Sequence, residues 1–133
     1  MPLALVLAGL GQIALALASL LLPRILRWGE ETARLSPLTR KVFWVYAAYI
    51  LATNLCLGTL SVAAPRLLLD RSPLARCVAG YAAAYWGARL AIQLVWFRGS
   101  APKGPGYAAA DWAVTALFAF WAVVYGAIAL DRW

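Results

Sequence analysis

The chain contains no histidine, two cysteines and only five acidic residues among its 133 positions. Histidine is the commonest transition-metal ligand and the commonest general base, so its absence argues against haem, zinc and di-iron chemistry. Cys56 and Cys77 fall in separate apolar stretches, where they are predicted to be small buried hydrophobes and not a disulfide pair. We therefore expect no metal site and no cofactor.

Charged residues of either sign are scarce, and apolar residues replace them. Only 13% of the chain is charged, 65% is hydrophobic and the mean hydropathy is +0.77, a balance typical of a protein in a bilayer. Four apolar stretches each approach the ~20 residues that a helix needs to cross a membrane. These features predict an all-α integral membrane protein, a four-helix transmembrane bundle in a single domain, 1–133, with spans near 3–22, 40–64, 74–97 and 109–130.

The net charge of +7 lies almost entirely in the connections between the predicted spans. Seven lysines and arginines fall in the first and third connections, against four in the second connection and the C-terminal tail. By the positive-inside rule, both chain termini are expected outside. Such a basic balance favours membrane lipids with anionic headgroups as partners and not nucleic acid. The inner membrane of a bacterium is the expected location.

Two of the spans begin with the same local sequence. Ser36-Pro37 and Ser72-Pro73 place a hydroxyl at the N-cap and a proline at the first helical position, so both helices are predicted to start there. The similarity continues into the spans at an offset of 36 residues, for example at Tyr49 and Tyr85. Two explanations remain open: an inverted repeat, or convergent helix-start chemistry in an alanine-rich chain.

A polar stripe inside the third span is the most specific signal of function. Tyr81, Tyr85, Arg89 and Gln93 follow strict i, i+4 spacing and so share one helix face. A guanidinium at membrane depth must find acceptors in the bundle interior, and none of the five acids lies at its depth.

Uncharged acceptors are available on the other spans, and the predicted ligand-binding set includes them. It consists of the four residues of the stripe together with polar residues of the first two spans: Arg89, Tyr85, Tyr81, Gln93, Asn54, Gln12 and Tyr49. Two interpretations of Arg89 stay open. It recognises an anionic group of a ligand, or it hydrogen-bonds to Asn54, Gln12 and helix-end carbonyls and so joins the bundle.

Small residues on the opposite face of the third span, such as Gly80, Ala84 and Ala88, predict close helix contacts and a central position for this helix. The leading functional hypothesis is a non-enzymatic bundle, as a homo-oligomer, that binds or transports an amphipathic or anionic small molecule or lipid in a cavity centred on Arg89. The alternative is a structural or accessory subunit of a larger membrane complex. A lipid-modifying enzyme ranks third, because no nucleophile can be paired with a base, and the catalytic set is empty.

Overall fold

The structure, a computed structural model, describes residues 1–97 and 104–133, and this part of the chain is all-helical with no β-strand. The helices in the described ranges are α1 (Pro2–Ser19), α2 (Leu22–Ile25), α3 (Trp28–Thr32), α4 (Pro37–Ala63), α5 (Pro65–Leu68), α6 (Pro73–Ile92) and α7 (Pro105–Ala129). Helix α6 continues into a π-helical turn, Gln93–Phe97. The basic residues predicted in the third connection, Arg98 and Lys103, lie outside the described residues.

Among the described residues, three helical segments are long and apolar enough to cross a membrane: Pro2–Ile25, Pro37–Ala63 and Gly106–Ala129. They are compatible with an integral membrane protein. Helix α6, which carries Arg76 and Arg89, is not among them. The predicted all-helical class is therefore confirmed, and three of the predicted membrane crossings have candidate helices in the described residues.

The predicted starts of the second and third long helices are confirmed. Helix α4 begins at Pro37 and α6 at Pro73, and the hydroxyls of Ser36 and Ser72 accept backbone N–H bonds from Thr39 and Ala75. Upstream of α6, the carboxylate of Asp70 accepts hydrogen bonds from the Ser72 side chain and backbone, which hold the pKa of Asp70 below its ordinary value. The Ser-Pro pair thus works as a start signal because it supplies an acceptor and a preset φ angle.

The first connection, which contains Gly29, forms two short helices. They are α2 and α3, separated at Arg27, whose φ of 54° is left-handed. A residue with left-handed backbone angles does not continue a right-handed helix, so the helix is interrupted at Arg27, two residues before Gly29. Trp28 then packs its ring edge-on against Phe43 and Trp44, which fixes α3 against the first turns of α4.

The long helices pack as two antiparallel pairs, α1 with α4 and α6 with α7. The tightest point is where α1 crosses α4. A Cβ built on Gly9 would lie 2.7 Å from the carbonyl oxygen of Gly58, and one on Gly58 would lie 3.0 Å from the carbonyl oxygen of Gly9. Two glycines therefore allow backbone-to-backbone contact between α1 and α4, a geometry typical of membrane helices.

One end of the bundle, the terminal end, holds both chain termini and the α4–α6 connection. There Arg71 forms an ion pair with Asp131 at 2.9 Å and lies over the ring of Trp133 at 4.7 Å. Arg76 also donates to the carbonyl oxygen of Ala129 at the end of α7. These contacts bind the C-terminus to the start of α6. The opposite end, which we call the loop end, carries α2, α3, the π-helical turn and the start of α7.

Candidate functional site

Burial decreases sharply from the terminal end to the loop end. In α4, the buried residues are Leu57, Gly58 and Ser61, all in its final turns, and in α6 no residue after Trp86 is buried. The packing of α4 and α6 is therefore looser toward the loop end than at the terminal end.

Arg89 lies where the packing begins to open, one turn of α6 after the buried Trp86. Its guanidinium carbon is 5.3 Å from the ring centroid of Phe118 on α7 and 5.8 Å from that of Phe97. In residues 1–97 and 104–133, the neighbours of this cation are aromatic faces, and no carboxylate forms an ion pair with it. Cation–π contacts are worth roughly 0.5–2 kcal/mol each, so they hold the guanidinium without neutralising its charge.

The π-helical turn at the end of α6 explains how Phe97 reaches Arg89. Phe97 is eight residues further along the chain, which in a continuous α-helix would place it about 80° around the axis from Arg89. A π-helical turn bonds residue i to residue i+5 and so rotates less per residue, which brings Phe97 back onto the face of Arg89. Such turns within α-helices are frequent at functional sites.

The other residues of the predicted stripe separate into distinct environments. Tyr85 donates a hydrogen bond of 2.9 Å to Oδ1 of Asn54, and so links α6 to α4. Gln93 donates to the carboxylate of Asp111 on α7. Tyr81 is 63% exposed. The structure thus brings Tyr85 and Asn54 together on one side of Arg89, and places Gln93 with Asp111 one turn beyond it.

Two members of the predicted set lie apart from this group. Tyr49 is 67% exposed on the outer surface of α4. Gln12 is completely buried in a separate polar network that takes one residue from each long helix. Its amide oxygen accepts from the indole N–H of Trp86 at 3.2 Å, and its amide nitrogen donates to the hydroxyl of Tyr125 and to a backbone carbonyl of its own helix.

The donor order in this network is determined by Ser61. The Ser61 hydroxyl donates its single proton to the carbonyl oxygen of Leu57 at 2.8 Å, so the Tyr125 hydroxyl must donate to Ser61 across their 2.6 Å contact. Tyr125 in turn accepts from Gln12. Every polar group of the network is therefore satisfied internally, so the network joins the four long helices and occupies both the amide oxygen and the amide nitrogen of Gln12.

Three residues that contact the predicted stripe were not in the predicted ligand-binding set: Phe97 and Phe118 beside Arg89, and Asp111 beside Gln93. The sequence offers a signal for Asp111, since it is the acid nearest in depth to Arg89, but in the span predicted from about residue 109 it falls in the first turn, where a helix-dipole role explains it equally well. In the structure α7 begins at Pro105, so Asp111 lies beyond its first turn. Phe118 and Phe97 carry no such signal, because an aromatic residue in an apolar span is ordinarily read as core.

The described residues offer little to a metal or a compact enclosed ligand. No group of three or more histidine, cysteine or acidic side chains in the described ranges is placed to hold a metal ion. Two open surface grooves, of about 470 and 430 Å³, lie elsewhere: one along α4 around Cys56 and Thr59, the other at the terminal end around Pro65 and Trp133. Neither groove is lined by Arg89.

Comparison of the chain with protein-family models, with curated proteins and with solved structures finds no match. The chemistry of the site itself is therefore the basis for a function. That chemistry is a cation beside the rings of Phe97 and Phe118, with the amide of Gln93 and the carboxylate of Asp111 bonded to each other nearer the loop end.

Proposed function

We propose that this chain is a four-helix membrane bundle that binds an amphipathic molecule through an anionic group held by Arg89. The observation that carries the proposal is the environment of the guanidinium, which has the rings of Phe97 and Phe118 as neighbours and no ion-paired acid in the described ranges. A membrane-embedded arginine retains its charge, and an anion is the partner that lowers its energy most. α6 then makes the fourth crossing.

The surroundings of Arg89 favour an amphipathic ligand over a small free anion. Toward the terminal end from Arg89, the Tyr85–Asn54 hydrogen bond joins α6 to α4. On the loop-end side of that bond, Ile50 and Tyr46 precede Asn54 at four-residue spacing on the same face of α4, and both are exposed. An acyl chain beside these residues would stay in contact with apolar surface while its anionic group lies at Arg89. Passage across the membrane, if the bundle supports it, would require a homo-oligomer, because four helices do not enclose a wide pore.

The proposed orientation places both termini outside and the loop end in the cytoplasm of a bacterium, as the distribution of lysine and arginine indicates. Cys56 and Cys77 are free, so both can be replaced by serine to give a chain without thiols. In that background we expect a membrane-impermeant maleimide to label Arg132→Cys, but not Glu30→Cys, in spheroplasts. Labelling of the second variant alone would reverse the orientation, and labelling of both would indicate dual topology.

The central test is replacement of Arg89 by glutamine. The purified protein in a maltoside detergent is titrated with myristoyl lysophosphatidylglycerol, a single-chain anion, and its melting temperature is followed. We expect Arg89→Gln to weaken the apparent affinity about tenfold or more, because one charge-assisted hydrogen-bonded contact is lost. Myristoyl monoacylglycerol, which has the same chain and no charge, should stabilise both proteins equally and weakly.

The matched control is Arg34→Gln, which removes the same charge from an exposed position in the first connection. It should leave the titration with lysophosphatidylglycerol unchanged at moderate salt, because exposed charges are screened. Equal weakening in both variants would mean that the anion responds to net charge and not to a site at Arg89. An unchanged affinity in Arg89→Gln would contradict the proposed function directly.

A second candidate function, an accessory subunit of a larger membrane complex, is favoured by the surface of α4. Its first twenty residues include no buried side chain, and Tyr46 and Tyr49 are 63% and 67% exposed one turn apart. A partner membrane protein would pair such hydroxyls, which lipid leaves unsatisfied. Native mass spectrometry after gentle extraction distinguishes the two functions. A co-purified protein partner supports this candidate, and a bare chain with retained anionic lipid supports the binding function.

A further inference from the structure

The groove at the terminal end is a second place where a cation meets apolar surface. Its volume is about 430 Å³, and it is lined by Pro2, Pro65, Arg66, Leu69 and Trp133. Four of these lining residues are apolar or aromatic, and Arg66 is the one that carries a charge. The groove therefore offers a ligand an apolar wall and a single guanidinium, which is the surface that an amphipathic anion requires.

Three separate parts of the chain form this groove, so it exists only in the folded bundle. Pro2 begins α1, and Pro65 begins α5, the short helix that directly follows α4. Trp133 comes from the C-terminal segment, and its ring lies 4.7 Å from the guanidinium carbon of Arg71. Arg71 is itself held by its ion pair with Asp131. The aromatic wall of the groove is thus fixed by contacts made outside it.

The charge of Arg66 is not neutralised within the described part of the chain. The terminal end carries four arginines and two aspartates. Asp70 accepts a hydrogen bond from the backbone N–H of Ser72, and Asp131 pairs with Arg71. Arg66 is exposed and forms no ion pair with either acid. Because an arginine stays protonated, the partner that would neutralise it must come from outside these residues.

The position of the groove indicates what kind of anion reaches it. Helix α1 begins at the groove and α4 ends beside it, and both belong to segments long and apolar enough to cross a membrane. The ends of such helices lie at the level of the lipid headgroups, where tryptophan is enriched and arginine extends its charged group toward water. A lipid phosphate at this level matches the paired N–H donors of a guanidinium.

We propose that the groove binds an anionic phospholipid of the surrounding bilayer, with its phosphate paired with Arg66 and its glycerol region against the ring of Trp133. The excess of arginine at this end favours a lipid with a net negative charge, such as phosphatidylglycerol, over a zwitterionic one. The site is distinct from Arg89, which lies about 24 Å along α6 from Pro73. Binding at one site is therefore independent of binding at the other.

The test uses the Arg89→Gln protein, so that any lipid bound at Arg89 does not contribute. The protein is released from maltoside micelles containing increasing mole fractions of dioleoyl phosphatidylglycerol, and native mass spectrometry measures the binding of the first lipid. We expect the additional change Arg66→Gln to weaken the apparent affinity about threefold or more, the effect of losing one partly exposed ion pair. Arg66→Lys keeps the charge without the planar fork, so it should give an intermediate affinity.

The matched control is Arg132→Gln, which removes the same charge from an exposed arginine at the same end that does not line the groove. It should leave the affinity unchanged at moderate salt. Equal weakening in Arg66→Gln and Arg132→Gln would mean that the lipid responds to the charge of the whole terminal end, and it would overturn the site. Unchanged affinity in Arg66→Gln would overturn it as well. Dioleoyl phosphatidylcholine, which has no net charge, should bind more weakly than phosphatidylglycerol, and equal binding of the two would contradict the preference for an anionic lipid.

Discussion

Replacing Gly9 by alanine is expected to destabilise the protein by about 1–3 kcal/mol, the usual effect of overpacking a well-packed contact. The added methyl group would lie 2.7 Å from the Gly58 carbonyl oxygen and 2.9 Å from Cβ of Ser61. The carbonyl belongs to the backbone of α4, so the clash can be relieved only by moving one helix away from the other. The free energy of unfolding, measured by titrating sodium dodecyl sulfate into mixed micelles, checks this prediction.

The matched control is Gly87→Ala in the middle of α6, where an added Cβ meets no atom within 4 Å. Alanine is better than glycine in a helix by about 1 kcal/mol, so this variant should be unchanged or slightly more stable. Opposite effects of the same substitution at Gly9 and Gly87 would show that the contact between α1 and α4 is responsible. Similar small effects at both positions would mean that the two helices do not approach at Gly9.

The contact between Gly9 and Gly58 was not predicted from the sequence. Small residues were noticed at four-residue spacing in α6, and α6 was expected to be the central helix. In the structure, Gly87 has open space beside it and Gly80 has one ordinary contact, at 3.8 Å with Ala129. The close approach occurs between α1 and α4. Spacing within one helix shows that a face is small, but the partner of that face depends on how all the helices pack.

The elements that were predicted correctly depend on local chemistry alone. Ser36-Pro37 and Ser72-Pro73 set the starts of α4 and α6 because the cap and the proline act within one helical turn. The lengths of the apolar stretches predicted the three helical segments that are able to cross a membrane. The break at Arg27 was not predicted: the next residue, Trp28, packs against Phe43 of α4, 15 residues further along the chain, and such a contact leaves no local signature in the sequence.

At the candidate site, the i, i+4 spacing predicted a common face for Tyr81, Tyr85 and Arg89 but not their neighbours. Tyr85 meets Asn54, a pairing within the predicted set, whereas Arg89 meets two phenylalanines. One of these depends on the π-helical turn, which has no signature in the sequence. The spacing of residues along one helix therefore predicted a shared face but not the contacts that this face makes with other helices.

Gln12→Leu is expected to cost about 1–2 kcal/mol and to be among the most harmful single changes in the bundle. Leucine has a similar volume, so packing changes little, but it has no hydrogen-bonding group. The buried indole N–H of Trp86 then loses its acceptor, and the Tyr125 hydroxyl loses its donor. Unfolding in mixed micelles measures the loss. Tyr125→Phe should cost less, because Gln12 keeps Trp86 and its backbone acceptor, and Ser61 keeps Leu57.

Tyr81→Phe is the control for removal of a tyrosine hydroxyl, because Tyr81 is 63% exposed and lies outside the polar network around Gln12. It should leave the free energy of unfolding unchanged. In the double variant Gln12→Leu/Tyr125→Phe, the cost should be smaller than the sum of the single costs, because the two residues share one hydrogen bond. Additive costs would show that the bond contributes nothing. If the folded fraction of Gln12→Leu still binds lysophosphatidylglycerol with the affinity of wild type, Gln12 stabilises the bundle and takes no part in the site at Arg89.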